Sequence, residues 1–248
     1  MINRLEADHS SLEYFGYFLR AEREYPFATV FAFDRSLEFA TTDLMAIANL
    51  MAELDPPEHE LGATLEERSR ASLEWASRMV RSTYFRFALQ PVLLIESILR
   101  GSDLHTKKES DAVSRFNRSV LDAAAHVPPL RTDFALARNA IFHGSFEVLE
   151  DGSATLRDGN SKVVNLSSPE CEQLGRSVLQ ETLKIHISLG AVALWRLVEV
   201  ASTSYIIAVL AAEIRGSEEP AFVSDTDVLF SKTDERLLAM GLLNDDVV

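Results

Sequence analysis

The sequence predicts a mainly α fold: a multi-helix bundle with one small β-hairpin or three-stranded meander. Three observations carry this. Glycine and proline are sparse, 10 and 8 in 248 residues, too few for a turn-rich β architecture. Apolar residues recur at spacings of three and four over long stretches, the period of an amphipathic helix. That period gives way to alternation and Asp-Gly pairs in one place, after Gly144. Hydrophobic residues make up 47% of the chain and charged residues 25%, enough apolar material to offset chain entropy in a folded domain.

Ile2 to about Glu24 reads as a helical entry segment. In "FDRSLEFATTDLMAIANLMAEL", Leu37, Ala40, Leu44, Ile47, Met51 and Leu54 mark one face of a second helix. "DPPEHELG" ends it, because paired prolines cannot continue a helix. From Thr64 a helical pattern runs to about Arg100, and Pro91 is expected to kink or divide it. "HTKKESDAVSRFNRSVLDAAAHV" predicts a more basic helix, closed by "PPL". The next helix is expected from Asp133 to His143, with Thr132 or Asp133 as N-cap and Gly144 just past its end.

"SFEVLE", "SATLRD" and "SKVVNLS" then read as short strands. Asp151-Gly152 and Asp158-Gly159 separate them and supply the positive φ angles of tight turns. A helix follows, with Ser168 as N-cap, Pro169 in the first turn, and Glu170 and Glu172 near the positive end of the dipole. "ISLGAVALWRLVEVASTSYIIAVLAAEI" is apolar enough to span a bilayer. Arg196 and Glu199 lie inside it, three apart, where they can pair. Charges at that depth of a membrane are costly, so a buried central helix or helix pair is the favoured reading. The domain organisation is a helical domain over residues 1–215, with N-terminal helices within 2–55, and an acidic tail over 216–248.

The net charge of −14 argues against loose binding to nucleic acid. The charge is uneven, however. Between Asp103 and His143 six lysines and arginines face five acids, a local +1, while the tail from Gly216 sums to −6. A near-neutral to positive groove on an acidic protein is therefore compatible with the composition. The single cysteine, Cys171, excludes an intramolecular disulfide and a thiolate cluster within one chain. The charged start, "MINRLEADHSSLEYF", does not read as a signal peptide, and a reducing cytoplasm is the expected compartment. No phosphate loop, dinucleotide fingerprint, nucleophile elbow or zinc motif occurs, so neither cofactor nor metal is expected.

The chemistry concentrates in "LARNAIFHGSF". On a helix, Asn139 and His143 are four apart and share a face. Arg138 lies about 100° round from Asn139 and roughly 7.5 Å below His143, within reach of its long side chain. Phe134, Ala137 and Ile141 would pack the helix inward. Such a trio can cleave RNA without a metal. Histidine moves a proton at the 2′-hydroxyl or the leaving 5′-oxygen, arginine binds the scissile phosphate, and asparagine orients the pair. Glu96 and Asp111, on preceding helices, are candidates to support them. Taken singly, each member of the trio also has an ordinary structural use: a salt bridge for Arg138, local bonding for Asn139, a helix-end carbonyl for His143.

"RNAIFH" resembles the Arg-polar-x-x-x-His signature of HEPN domains, with four residues between Arg138 and His143 and the polar Asn139 first among them. The likeness covers roughly residues 64–215. It implies an all-helical core with the motif near a helix end and a long helix after it. It also implies a metal-independent endoribonuclease of toxin–antitoxin or other defence systems, acting as a homodimer in which both protomers' motifs line one site. RNA is then the substrate, and an antitoxin or regulatory protein a further partner. One branch of the family carries a modified tyrosine two residues after the histidine; Ser145 stands there and departs from that branch. Other members are non-catalytic, so the alternative is a helical dimerisation or nucleotide/RNA-binding module. The acidic net charge favours the alternative, and the clustered Arg-Asn-His favours the enzyme.

Overall fold

The computed structural model describes residues 9–42, 54–57, 62–101, 130, 132–157 and 163–215. Within them the protein is mainly helical with one small antiparallel sheet. The helices are α1 (His9–Glu24), α2 (Ala28–Thr42), α3 (Leu65–Met79), a π-helical segment (Val80–Leu89), α4 (Gln90–Arg100), α5 (Thr132–Phe142) and α6 (Ser168–Arg215). Strands β1 (Phe146–Val148), β2 (Ala154–Arg157) and β3 (Val163–Leu166) lie between α5 and α6. The expected basic helix, the second Asp-Gly pair and the acidic tail fall outside the described residues.

Helix α6 is the spine. Cys171, Leu174, Val178, Ile185, Leu189 and Val192 recur every three, four or seven residues and are buried. They pack against α1, α2, α3 and the π-helical segment. Each such side chain contributes about 1.5–3 kcal/mol on leaving water. From 194 to 204 no residue is buried: Leu194, Leu197 and Val198 are 62%, 48% and 56% exposed, so this stretch of the apolar run is not core. Hydrophobicity marked the run, but the neighbours that cover it are set by tertiary packing. By length and composition alone, Ser168–Ser204 could cross a membrane.

Arg196 does pair with Glu199, at 2.7 Å, and also reaches Glu22 at 3.2 Å and the Phe27 ring at 5.0 Å. Glu22 is a buried carboxylate that closes the α1–α2 corner. It accepts from the Phe27 and Thr29 backbone N–H groups at 2.5 and 3.0 Å and from the Thr29 hydroxyl at 2.6 Å. These bonds hold Phe27 at a φ of +70°, a conformation that a bulky residue rarely adopts.

Thr64 caps α3 reciprocally with Glu67, each side chain meeting the other's backbone N–H. The helical run from Leu65 continues to Arg100. The run is divided at Pro91: α4 starts at Gln90 with the proline in its first turn, and the ten residues before Gln90 are wound as a π-helix, with Gln90 N–H bonding back five residues to Phe85. Proline brings no N–H and crowds the carbonyl four residues back, and widening the preceding turns relieves that conflict. The same carbonyl belongs to Phe87, whose backbone takes a hydrogen bond from His186 on α6.

The His186 ring stacks on Phe33 and meets Phe87 edge-on, each centroid at 5.1 Å. Burial holds its pKa below the ordinary value, and the bond to Phe87 only partly opposes this. The unfolded chain therefore takes up the proton first as pH falls. The stability contributed by neutral His186 is present above about pH 6.5 and lost as pH drops through the folded pKa. Urea midpoints between pH 5 and 8 should fall more steeply on the acid side for wild type than for His186→Leu. Parallel profiles would refute the assignment.

The sheet is the expected meander, in the order β1-β2-β3, with Phe146 opposite Leu156, and Leu156 opposite Val164. Asp151-Gly152 makes the first turn. Gly152 has a φ of +77°, and the Asp151 carboxylate accepts from the Ser153 N–H and hydroxyl at 2.9 and 2.6 Å. The N-cap of α6 is Ser167, one residue earlier than expected. Its carbonyl accepts the first helical bond from Cys171, and its N–H and hydroxyl donate to Glu170. Ser168 instead meets Ser69 of α3 at 3.2 Å.

Candidate functional site at the end of helix α5

Helix α5 begins at Thr132, one residue before the expected start at Asp133. Phe134, Ala137 and Ala140 are buried, and Ile141 packs partly against the same core. The Phe134 ring meets Tyr84 edge-on at 5.2 Å. This stripe seats α5 on α3, the π-helical segment and β2. The helix ends as its sequence predicts. Gly144 takes a φ of +65°, its N–H bonds to Ile141 and that of Ser145 to Ala140, at 3.1 and 2.8 Å. Those two bonds are the left-handed glycine cap, open to a residue without a Cβ. Ser145 then accepts from Arg157 N–H at 2.9 Å, tying the helix end to the sheet.

Arg138 and Asn139 are half-buried and joined: the guanidinium donates to the Asn139 side-chain oxygen at 2.8 Å. The Arg138 guanidinium also lies over two rings, Phe85 at 5.7 Å and Phe142 at 5.6 Å. Phe85 is buried, whereas Phe142 is 64% exposed. Such contacts hold a planar cation in place. His143 is exposed at the helix end, and its ring meets Phe142 edge-on at 5.3 Å. Its backbone N–H bonds to the Asn139 carbonyl at 3.0 Å. Among the described residues its ring makes no hydrogen bond with Arg138 or Asn139. The structure thus joins two members of the trio and sets the third one turn on.

No family model, no curated protein and no solved structure matches the chain.

Among the described residues, no group of three or more His, Cys, Asp or Glu is placed to hold a metal ion. Glu96 is not a supporting group for the trio. It is buried, accepts from the Tyr17 hydroxyl at 2.9 Å and pairs with Arg100. Asp111 lies outside the described residues. Sequence reasoning did not find Phe85 and Phe142. Phe142 had a visible signal, an aromatic beside His143 and four residues after Arg138, the spacing of helix neighbours. Phe85 is 53 positions away and had none.

Proposed function

We propose that the protein is a metal-independent endoribonuclease of the HEPN type, acting as a homodimer in the cytoplasm in a bacterial toxin–antitoxin or defence setting. The observation that carries this reading is the end of α5. Arg138 is held between two rings and bonded to Asn139, and His143 stands exposed one turn further on. The mainly helical architecture, with the motif at a helix end and a long helix to follow, agrees with a HEPN-like bundle.

In this mechanism the His143 imidazole takes the proton from a ribose 2′-hydroxyl. The 2′-oxygen attacks the adjacent phosphorus, and the bond to the 5′-oxygen breaks. That oxygen leaves with a proton from an imidazolium, supplied by the same residue of a second protomer. Arg138 donates to the phosphate oxygens, where negative charge grows in the transition state. Asn139 holds the guanidinium in its plane. The products are a 2′,3′-cyclic phosphate and a free 5′-hydroxyl. The exposed leucines and valine of α6 offer apolar surface for a second copy.

The test is incubation of purified protein with structured and single-stranded RNA in excess chelator. Cleavage with cyclic phosphate ends is expected, and DNA of the same sequence should stay intact. Intact RNA throughout would leave the second reading, a non-catalytic dimerisation or RNA-binding module. The net charge of −14 favours that alternative, since it opposes binding of a polyanion.

A further inference from the structure

A pocket of about 430 Å³ opens between α2, the π-helical segment and the start of α4. Its lining includes three arginines, Arg35, Arg81 and Arg86, and no acid. On a chain of net charge −14 this is a local reversal of sign. Arg35 pairs with Glu38 at its outer edge, at 2.7 Å, and its guanidinium lies over Phe31 at 5.7 Å. Arg81 has no carboxylate partner among the described residues. Phe31 and Phe85 give the pocket aromatic walls, and Gln90 adds an exposed amide.

The π-helical winding assembles this wall. In an α-helix, residues five apart point about 140° away from each other. Arg81 and Arg86 are five apart, and the wider turn closes at that interval, so both face the pocket. Pro91, which favours the widening, also lines it. Rare helix geometry of this kind often sits at functional sites.

We propose that this pocket binds a nucleotide unit, its phosphate on Arg81 and Arg86 and its base against Phe31. Arginine forks match phosphate oxygens, aromatic faces stack bases, and the volume is that of a small-ligand site. The unit comes either as a free nucleotide or as one residue of an RNA strand. The strand is the natural source if the ribonuclease reading holds, because Phe85 is shared: it lines the pocket and lies under the Arg138 guanidinium.

Binding is measured on the full chain with two probes, AMP and a 2′-O-methyl oligoribonucleotide. The second cannot be cut by 2′-hydroxyl attack, so its binding is read apart from turnover. Wild type should bind at least one of them. Arg81→Ala and Arg86→Ala should each weaken binding about tenfold or more. For the oligonucleotide, each should also reduce the salt dependence by about 0.7 in log–log slope. Arg176→Ala, an exposed arginine of α6 away from the pocket, should bind as wild type. Both pocket arginines are exposed, so melting temperatures should shift by no more than about 2 °C. Binding of AMP assigns the pocket to free nucleotides, and binding of the oligonucleotide alone assigns it to RNA. No binding of either probe at millimolar concentration would overturn the proposal. So would wild-type affinity in an Arg81→Ala/Arg86→Ala double variant.

Discussion

His143→Ala is expected to lower the rate of RNA cleavage by two to four orders of magnitude, with the fold intact. A positioned general acid–base contributes about 10²–10⁴-fold. In a dimer whose two motifs share one site, one substitution removes both the base and the acid. The ring is exposed, and among the described residues its one aromatic contact is with Phe142. Its loss should therefore change stability by no more than about 0.5 kcal/mol. Arg138→Ala should cost about 10²–10³-fold through lost stabilisation of the phosphate. It should also cost about 1 kcal/mol of stability, because the bond to Asn139 and the ring contacts go with it. Arg138→Lys keeps the charge but not the planar fork, and should fall between the two. Initial rates in chelator, with thermal melts alongside, decide the matter. Wild-type rates from His143→Ala would end the catalytic assignment.

Gly175→Ala is expected to be the most damaging single methyl group added to the core. A Cβ there would meet the Trp75 ring at 2.2 and 2.3 Å. Trp75 is 3% exposed and enclosed, so the ring cannot swing away. Overpacking of this kind costs about 1–3 kcal/mol, and so close an approach belongs at the upper end. Alanine's better helix propensity returns about 1 kcal/mol. The net loss of about 2 kcal/mol should lower the melting temperature by roughly 4–8 °C. Gly16→Ala on α1 is the contrast. Nothing lies within 4 Å of its added Cβ, and it should raise stability by up to about 1 kcal/mol. Adding Trp75→Phe should recover part of the Gly175→Ala loss. A melt unchanged by Gly175→Ala would mean that α3 and α6 do not approach this closely.

What the sequence revealed is what local chemistry decides. The Asp151-Gly152 turn and the Gly144 cap each need a positive φ, and glycine there announces it. The motif's inward stripe followed from period alone. The Ser167 cap was off by one because "SSPE" offers two adjacent serines, and only the fit of Glu170 chooses between them. Long-range effects were hidden. Nothing local to Gly175 announces that Trp75, a hundred positions earlier, is set against it. Nothing near Glu22 in the sequence marks it, yet Arg196 and the α1–α2 corner make it a buried junction. The exposure of Leu194, Leu197 and Val198 was equally invisible, because apolar composition does not say which neighbours arrive.

The spine helix also sets a clock on synthesis. Tyr14 on α1 closes its hydrogen bond, at 2.9 Å, on Glu181 of α6, 167 residues later in the chain. At about 5–20 residues per second, the ribosome delivers that partner roughly 8–33 s after the tyrosine. Until then the faces of α1, α2 and α3 that pack against α6 stay uncovered. The platform beneath α5 is thus completed late, and a nascent chain cut short before α6 would carry the Arg-Asn-His sequence without the support that aligns it.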